Sequence, residues 1–217
     1  METWVFEHRV PRPRLVERLR DSRLAVVEAG AGYGKSTLLA EASAALPLTV
    51  AIVPLDAGDG DDALLPLRLA RSLRRAGLSD VAAAMQEAPD PRAALEALAD
   101  ALDDRREPVI LAIDDAHHLD DRAAPLLRRL VGELPRQHGL WLVARRLAPA
   151  VAAVVDDARV TRLDASDLRF TGEEARALCL SVLGIEGPAE ALVRTTDGWV
   201  SALVLGALAA ARGADGA

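Results

Sequence analysis

Residues 29–36 constrain this chain more than any other stretch. They read AGAGYGKS and fit the Walker A pattern, a small residue followed by four others and then Gly-Lys-Ser. The preceding residues 24–28, LAVVE, read as a short buried strand. Residues 35–46 read as a helix with Leu38, Leu39, Ala42 and Leu46 on one side. That context separates a phosphate loop from a functionless Gly-rich turn. Gly30, Gly32 and Gly34 permit a tight curl whose backbone N–H groups face inward, and the helix adds its positive end. Lys35 is placed to reach the β- and γ-phosphates, and Ser36 to hold magnesium through its hydroxyl. The nucleotide-holding set is therefore Ala29, Gly30, Ala31, Gly32, Tyr33, Gly34, Lys35, Ser36 and Thr37. Tyr33 either lines the nucleotide site or packs against the sheet edge.

A phosphate loop needs a carboxylate at the tip of a neighbouring strand. Residues 108–113, PVILAI, read as a buried strand followed by Asp114 and Asp115. Asp114 is the candidate magnesium acid, and Asp115 is placed to orient or deprotonate the attacking water. An extra strand, 49–55, lies between the two motifs, which suggests the arrangement with a further strand inserted between the Walker A and Walker B strands. Residues 140–144, LWLVA, are the candidate for that strand. Arg145 or Arg146 at its end is a γ-phosphate sensor or a surface charge. His117 and His118 beside two acids make a poor metal cage, lacking a Cys or a distant His pair. The acidic run 56–62, DAGDGDD, lacks the ligand positions of a calcium loop and reads as a turn and helix cap.

Further strands and helices alternate: helices at 62–75, 91–102 and 121–134, and a strand at 159–163. This alternation predicts an α/β fold, a parallel sheet covered on both faces. It corresponds to a three-layer α/β/α P-loop NTPase of ASCE/AAA-like type. After Asp167 the pattern turns all-helical. Thr171 and Glu174 form a capping box, a turn follows at 184–188, and helices follow at 189–195 and 199–212. The expected organisation is a lead-in segment at 1–23, a nucleotide-binding domain at 24–166, a small helical lid at 167–212 and a tail at 213–217. In the lead-in, Pro11 and Pro13 delay a helix until about Arg14. Arg9, Arg12, Arg14, Arg18, Arg20 and Arg23 read as a solvated face balanced by Glu7, Glu17 and Asp21.

Composition excludes several classes. The chain has 217 residues, 51% of them hydrophobic and 3% aromatic, enough for an aliphatic core. A formal net charge of −7 argues against direct nucleic-acid binding by this segment. The lone Cys179 allows no internal disulfide and reads as a core thiol. The N-terminus lacks the apolar core of a signal peptide, and the apolar run at 199–211 is too short for a membrane span, so a cytoplasmic protein is expected. The final helix is apolar nearly all round. That predicts cover on both sides, by a protein partner, by self-association or by a missing downstream domain.

With these residues in view, the chain resembles the nucleotide-binding (NB-ARC/AAA-like) domain of STAND signalling ATPases. The maltose-regulator type of large LuxR-family transcriptional activators is the nearest in pattern. The resemblance runs from VPRPRLVERL at 10–19 through AGAGYGKSTLL at 29–39, PLDAGDGDD at 54–62 and LAIDDAHHL at 111–119. It continues through LVARRLAP at 142–149, LDASDLRFTGEEA at 163–175 and TTDGWVSALVLGAL at 195–208. Arg146 falls on the arginine of the family's Ala-Ser-Arg, with Arg145 in the serine's place. What the resemblance implies is an ATP/ADP-dependent switch using Mg2+, which holds ADP in a closed form, exchanges it for ATP and resets by slow hydrolysis. The family's sensing repeats and DNA-binding helix-turn-helix are not visible in this chain. Two other readings stay open: a non-catalytic interaction module stabilised by nucleotide, and a P-loop kinase acting on a small molecule.

Overall fold

A computed structural model describes residues 9–58, 64–156, 159–184 and 188–214. Its centre is a five-stranded sheet built from β1 (Leu24–Glu28), β2 (Thr49–Pro54), β3 (Val109–Asp114), β4 (Gly139–Ala144) and β5 (Thr161–Leu163). The order is β2-β3-β4-β1-β5 and every pairing is parallel. β4 thus sits between the Walker A strand β1 and the Walker B strand β3, as the spacing of the motifs predicts.

The strands are apolar at every inner position because both faces are covered. Side chains alternate across the sheet. Val26, Leu111, Ile113, Leu140 and Leu142 join one core, while Ala25, Val27, Ile110, Trp141 and Val143 join another. The second core is closed by α1 (Pro13–Arg20) and α2 (Lys35–Ala45). The first is closed by α3 (Leu65–Arg75), α4 (Ser79–Glu87), α5 (Pro91–Asp103), α6 (Ala124–Glu133) and α7 (Pro149–Val154). The result is the expected three-layer α/β/α architecture. Buried His138 fastens α5 to β3: its Nδ1 accepts from the Val109 amide at 3.0 Å, and Nε2 lies 2.8 Å from the Leu102 carbonyl.

The helical tail consists of α8 (Ala165–Leu168), α9 (Gly172–Leu183), α10 (Ala189–Thr196) and α11 (Val200–Ala214). The Thr171–Glu174 capping box forms as its sequence predicts. Leu168 of α8 joins the second sheet core, whereas α9, α10 and α11 have their own small core, including Leu178, Cys179, Leu203 and Ala207, which Val10 of the N-terminal segment enters.

The structure corrects several expectations. Helix α4 was not legible, because SDVAAAMQE offers only Val81 and Met85 as large apolar anchors. The helix expected from Asp62 is described from Leu65; residues 59–63 of the acidic turn, 185–187 of the later turn, 1–8 and 215–217 lie outside the described residues. The arginines of the N-terminal segment are a solvated face only in part: Arg9, Arg14, Arg18 and Arg20 are exposed and Arg20 pairs with Glu17, but Arg12 and Arg23 turn inward. Arg12 is 1% exposed, and Arg23 donates to the carbonyls of Val131, Leu134 and His138. Arg14 pairs with Glu174 of α9 and Arg18 with Asp167 of α8. Those two pairs tie α1 to the helical tail. Helix α11 carries apolar side chains on more than one side, as its sequence suggests. Leu203 and Ala207 lie in the tail core, Val200 and Val204 both pack against it and line a cavity over the phosphate loop, and Leu205 and Leu208 also line that cavity.

Candidate functional site

The cavity, of about 580 Å³, opens where β1 and β3 end. One wall is the loop between β1 and α2, with Ala31, Gly32, Gly34, Lys35, Ser36 and Thr37. Gly34 has φ 72°, the left-handed conformation that lets the loop turn into α2. Lys35 is buried, and its ammonium donates to the carbonyls of Ala29 and Gly30, both at 2.7 Å. Burial pulls its pKa below the usual lysine range, opposed by the nearby carboxylates of Asp115 and Asp114.

Asp114, the last residue of β3, is 8% exposed. Burial pushes its carboxyl above the usual range, opposed by hydrogen bonds from the Ser36 hydroxyl and the Asp115 amide. The amide bond measures 2.9 Å. Ser36 and Asp114, on separate elements, are therefore brought together. Asp115 follows with φ 54°, an uncommon conformation for a non-glycine residue, and its side chain lines the cavity. Asp115 Oδ1 lies 3.5 Å from His117 Nδ1. Burial keeps His117 below its ordinary pKa, with His118 adding to the effect.

At the end of β4 both arginines are exposed, but Arg145 is the one at the cavity wall. Arg146, the expected sensor, is not among the cavity residues. Strand parity carries this signal: Trp141 and Val143 face the core beneath α1 and α2, and Arg145 continues that series. Tyr33 packs over Gly30 and against the same core. Ala29 is buried, and its amide donates to the Ala144 carbonyl at 3.2 Å.

The opposite wall is α11, and it touches the loop directly. Trp199 Nε1 donates to the Ala31 carbonyl at 3.1 Å. The backbone amide and the hydroxyl of Ser201 both donate to the Gly32 carbonyl at 3.0 Å. Gly32 has φ 77°, and a Cβ there would lie 2.4 Å from Ser201 Oγ, so this approach requires glycine. Neither Trp199 nor Ser201 was singled out by chemistry. They lie inside the GWVSAL stretch that carries the family resemblance. Among the described residues, no group of three or more His, Cys, Asp or Glu side chains could hold a metal by themselves. A cation here would share Ser36, Asp114 and phosphate oxygens.

Fold and site together define a P-loop nucleotide-binding domain with an inserted sheet strand and a helical cap over its phosphate loop. The chain belongs to the AAA ATPase domain family, whose model matches residues 14–143. The serine/threonine-protein kinase PknK of Mycobacterium tuberculosis is 30% identical over 225 residues, covering 95% of this chain. The chain spans only 20% of that kinase's length. Among solved structures, a signal transduction ATPase with numerous domains (STAND) and a tetratricopeptide repeat sensor, from Pyrococcus horikoshii, superposes with a TM-score of 0.65. It is 19% identical, over 88% of this chain and 28% of that one. Cdc6p from Pyrobaculum aerophilum superposes at 0.54 with 18% identity, over 84% of this chain and 50% of that chain. None of the described helices is long and apolar enough to cross a membrane.

Proposed function

We propose that this chain is the ATP/ADP-binding switch unit of a STAND-type regulator, with slow Mg2+-dependent hydrolysis as its reset. One observation carries the reading: the lid helix α11 hydrogen-bonds the phosphate loop itself, through Trp199 and Ser201. A ligand that remodels the loop must shift the lid, and lid movement must alter ligand affinity. The maltose-regulator resemblance supports a role in transcriptional control, and the net charge of −7 supports leaving DNA contact to other parts of such a protein. The proposed organisation is a lead-in at 1–23, the nucleotide domain at 24–166 and the lid from 167.

The residues fit Mg-nucleotide. Ser36 and the buried Asp114 carboxylate are paired, and because burial raises the Asp114 pKa, a bound cation would favour its charged form. Ser36 and Asp114 would hold the ion, which would supply neutralisation of charge building on the phosphate oxygens. Lys35 exchanges the Ala29 and Gly30 carbonyls for phosphate oxygens. Asp115 orients the attacking water and takes its proton, and Arg145, with Arg146 as the alternative, contacts the γ-phosphate. The apolar face of α11 closes the site against water.

Two variants test the assignment. K35A should weaken ADP binding by about 100-fold, the scale of losing a charged hydrogen-bonding partner. D115A should bind ATP like the parent and release phosphate about 100-fold more slowly. Isothermal titration and a phosphate-release assay read these outcomes. Parent-like binding by K35A together with parent-like turnover by D115A would sink the assignment.

A further inference from the structure

All six carbonyls of the phosphate loop from Ala29 to Gly34 have donors, and the donors come from four places. Lys35 serves Ala29 and Gly30, and the lid serves Ala31 and Gly32. The last two accept from Arg12, which lies outside the loop and the lid alike, and Gly34 also accepts the Leu38 amide of α2 at 3.0 Å. Arg12 Nη1 donates to the Tyr33 carbonyl at 3.2 Å and its Nη2 to the Gly34 carbonyl at 2.5 Å. We propose that Arg12 is a positioning residue for nucleotide binding, whose guanidinium fork sets the peptide planes presenting the Gly34 and Lys35 amides to phosphate.

The argument is geometric. In a trans peptide the carbonyl of one residue and the N–H of the next point in opposite directions, and no cis bond occurs among the described residues. Holding the Tyr33 and Gly34 carbonyls toward Arg12 turns the N–H groups of Gly34 and Lys35 the other way. Both of those residues line the cavity. Arginine suits this task because two donors in a rigid plane fix two acceptors at once, whereas lysine is a single mobile point charge.

Two further features show that the fork is committed to the loop. Arg12 is 1% exposed, yet the nearby Glu41 carboxylate accepts from the Arg12 backbone amide, at 2.6 Å, and leaves the guanidinium to the carbonyls. A cation buried for stability alone is expected to pair with a carboxylate. Gly34 is also shaped to the contact: a Cβ there would lie 3.0 Å from Arg12 Nη2. Burial lowers the Arg12 pKa, while Glu41 and Glu174 favour its charged form. Arg12 immediately precedes α1, and Arg14, within that helix, grips Glu174 of the lid. One short segment therefore touches both the loop and the lid.

This inference rests on the nucleotide reading above, and its test keeps the two apart. The dissociation constant of Mg-ADP is measured for the parent, R12Q, R12K and V81A, at a temperature where circular dichroism shows each to be folded. V81A removes buried volume from α4, outside the cavity wall, and controls for lost stability alone. R12Q should bind Mg-ADP about tenfold more weakly, R12K should not restore it, and V81A should bind as the parent does. Should R12Q not fold, R12K decides on the same scale. A weakening below about threefold, or an equal weakening in V81A, overturns the proposal and leaves Arg12 a structural strut. A parent that binds no Mg-ADP overturns the nucleotide reading first, and this inference with it.

Discussion

The two walls of the cavity are built from different material. The sheet wall is continuous with the two large cores. Its strands are paired in register, Lys35 and Asp114 are buried, and Ser36 is bonded to Asp114. Among the described residues, the lid wall rests on a separate core of eight buried residues. It reaches the loop through Trp199, which is 43% exposed, and through Ser201. Its other ties, Arg14–Glu174 and Arg18–Asp167, lie at the start of the tail helices, away from α11. Regions with few buried contacts and exposed hydrogen bonds open at the lowest cost. The sheet wall is thus the fixed part of the site, and α11 is the part able to move.

That contrast can be broken from either side. The larger effect belongs to the sheet wall. D114N removes a buried carboxylate whose pKa is raised in the folded protein. A raised pKa means that the ionised group weakens the fold, and that this cost is absent below the usual carboxylate range. The nucleotide-free variant should therefore become more stable than the parent as pH rises above about 4 toward neutrality. The same variant should lose the effect of Mg2+ on ATP affinity. Thermal melts across pH and titrations with and without Mg2+ read both, and a variant less stable than the parent at pH 7 would contradict the account. The smaller effect belongs to the lid wall. W199F removes one partly exposed hydrogen bond, so ADP should dissociate about fivefold faster with the melting temperature nearly unchanged. Stopped-flow release of a fluorescent ADP analogue measures this. Unchanged release would mean that Trp199 packs on the loop without holding it.

The sheet wall was also the legible part of the sequence. LAVVE, VILAID and LWLVA are apolar throughout because both faces are buried, and the distance between AGAGYGKS and the Asp-Asp pair implied a strand between them. Contacts that depend on a single long-range approach were not legible. Nothing in a run of six arginines distinguishes Arg12, since its burial follows from how α1 docks on α2. Arg145 was separable from Arg146 by strand parity, but the resemblance pointed to its neighbour. The left-handed backbone of Asp115 leaves no trace in composition. The lid stretch was recognised as a pattern, whereas its purpose at Gly32 emerged only once Ser201 was seen against that glycine.

The central claim is that the lid position follows the nucleotide, and the amide of Ser201 is its most direct reporter, because its hydrogen is bonded to the Gly32 carbonyl. Hydrogen exchange of the segment containing Ser201 should be compared in protein saturated with Mg-ADP and with a non-hydrolysable Mg-ATP analogue. The account predicts slow exchange with ADP and faster exchange with the ATP analogue, while exchange in β1 and β3 stays the same. Equal exchange at Ser201 in the two nucleotide states would contradict it.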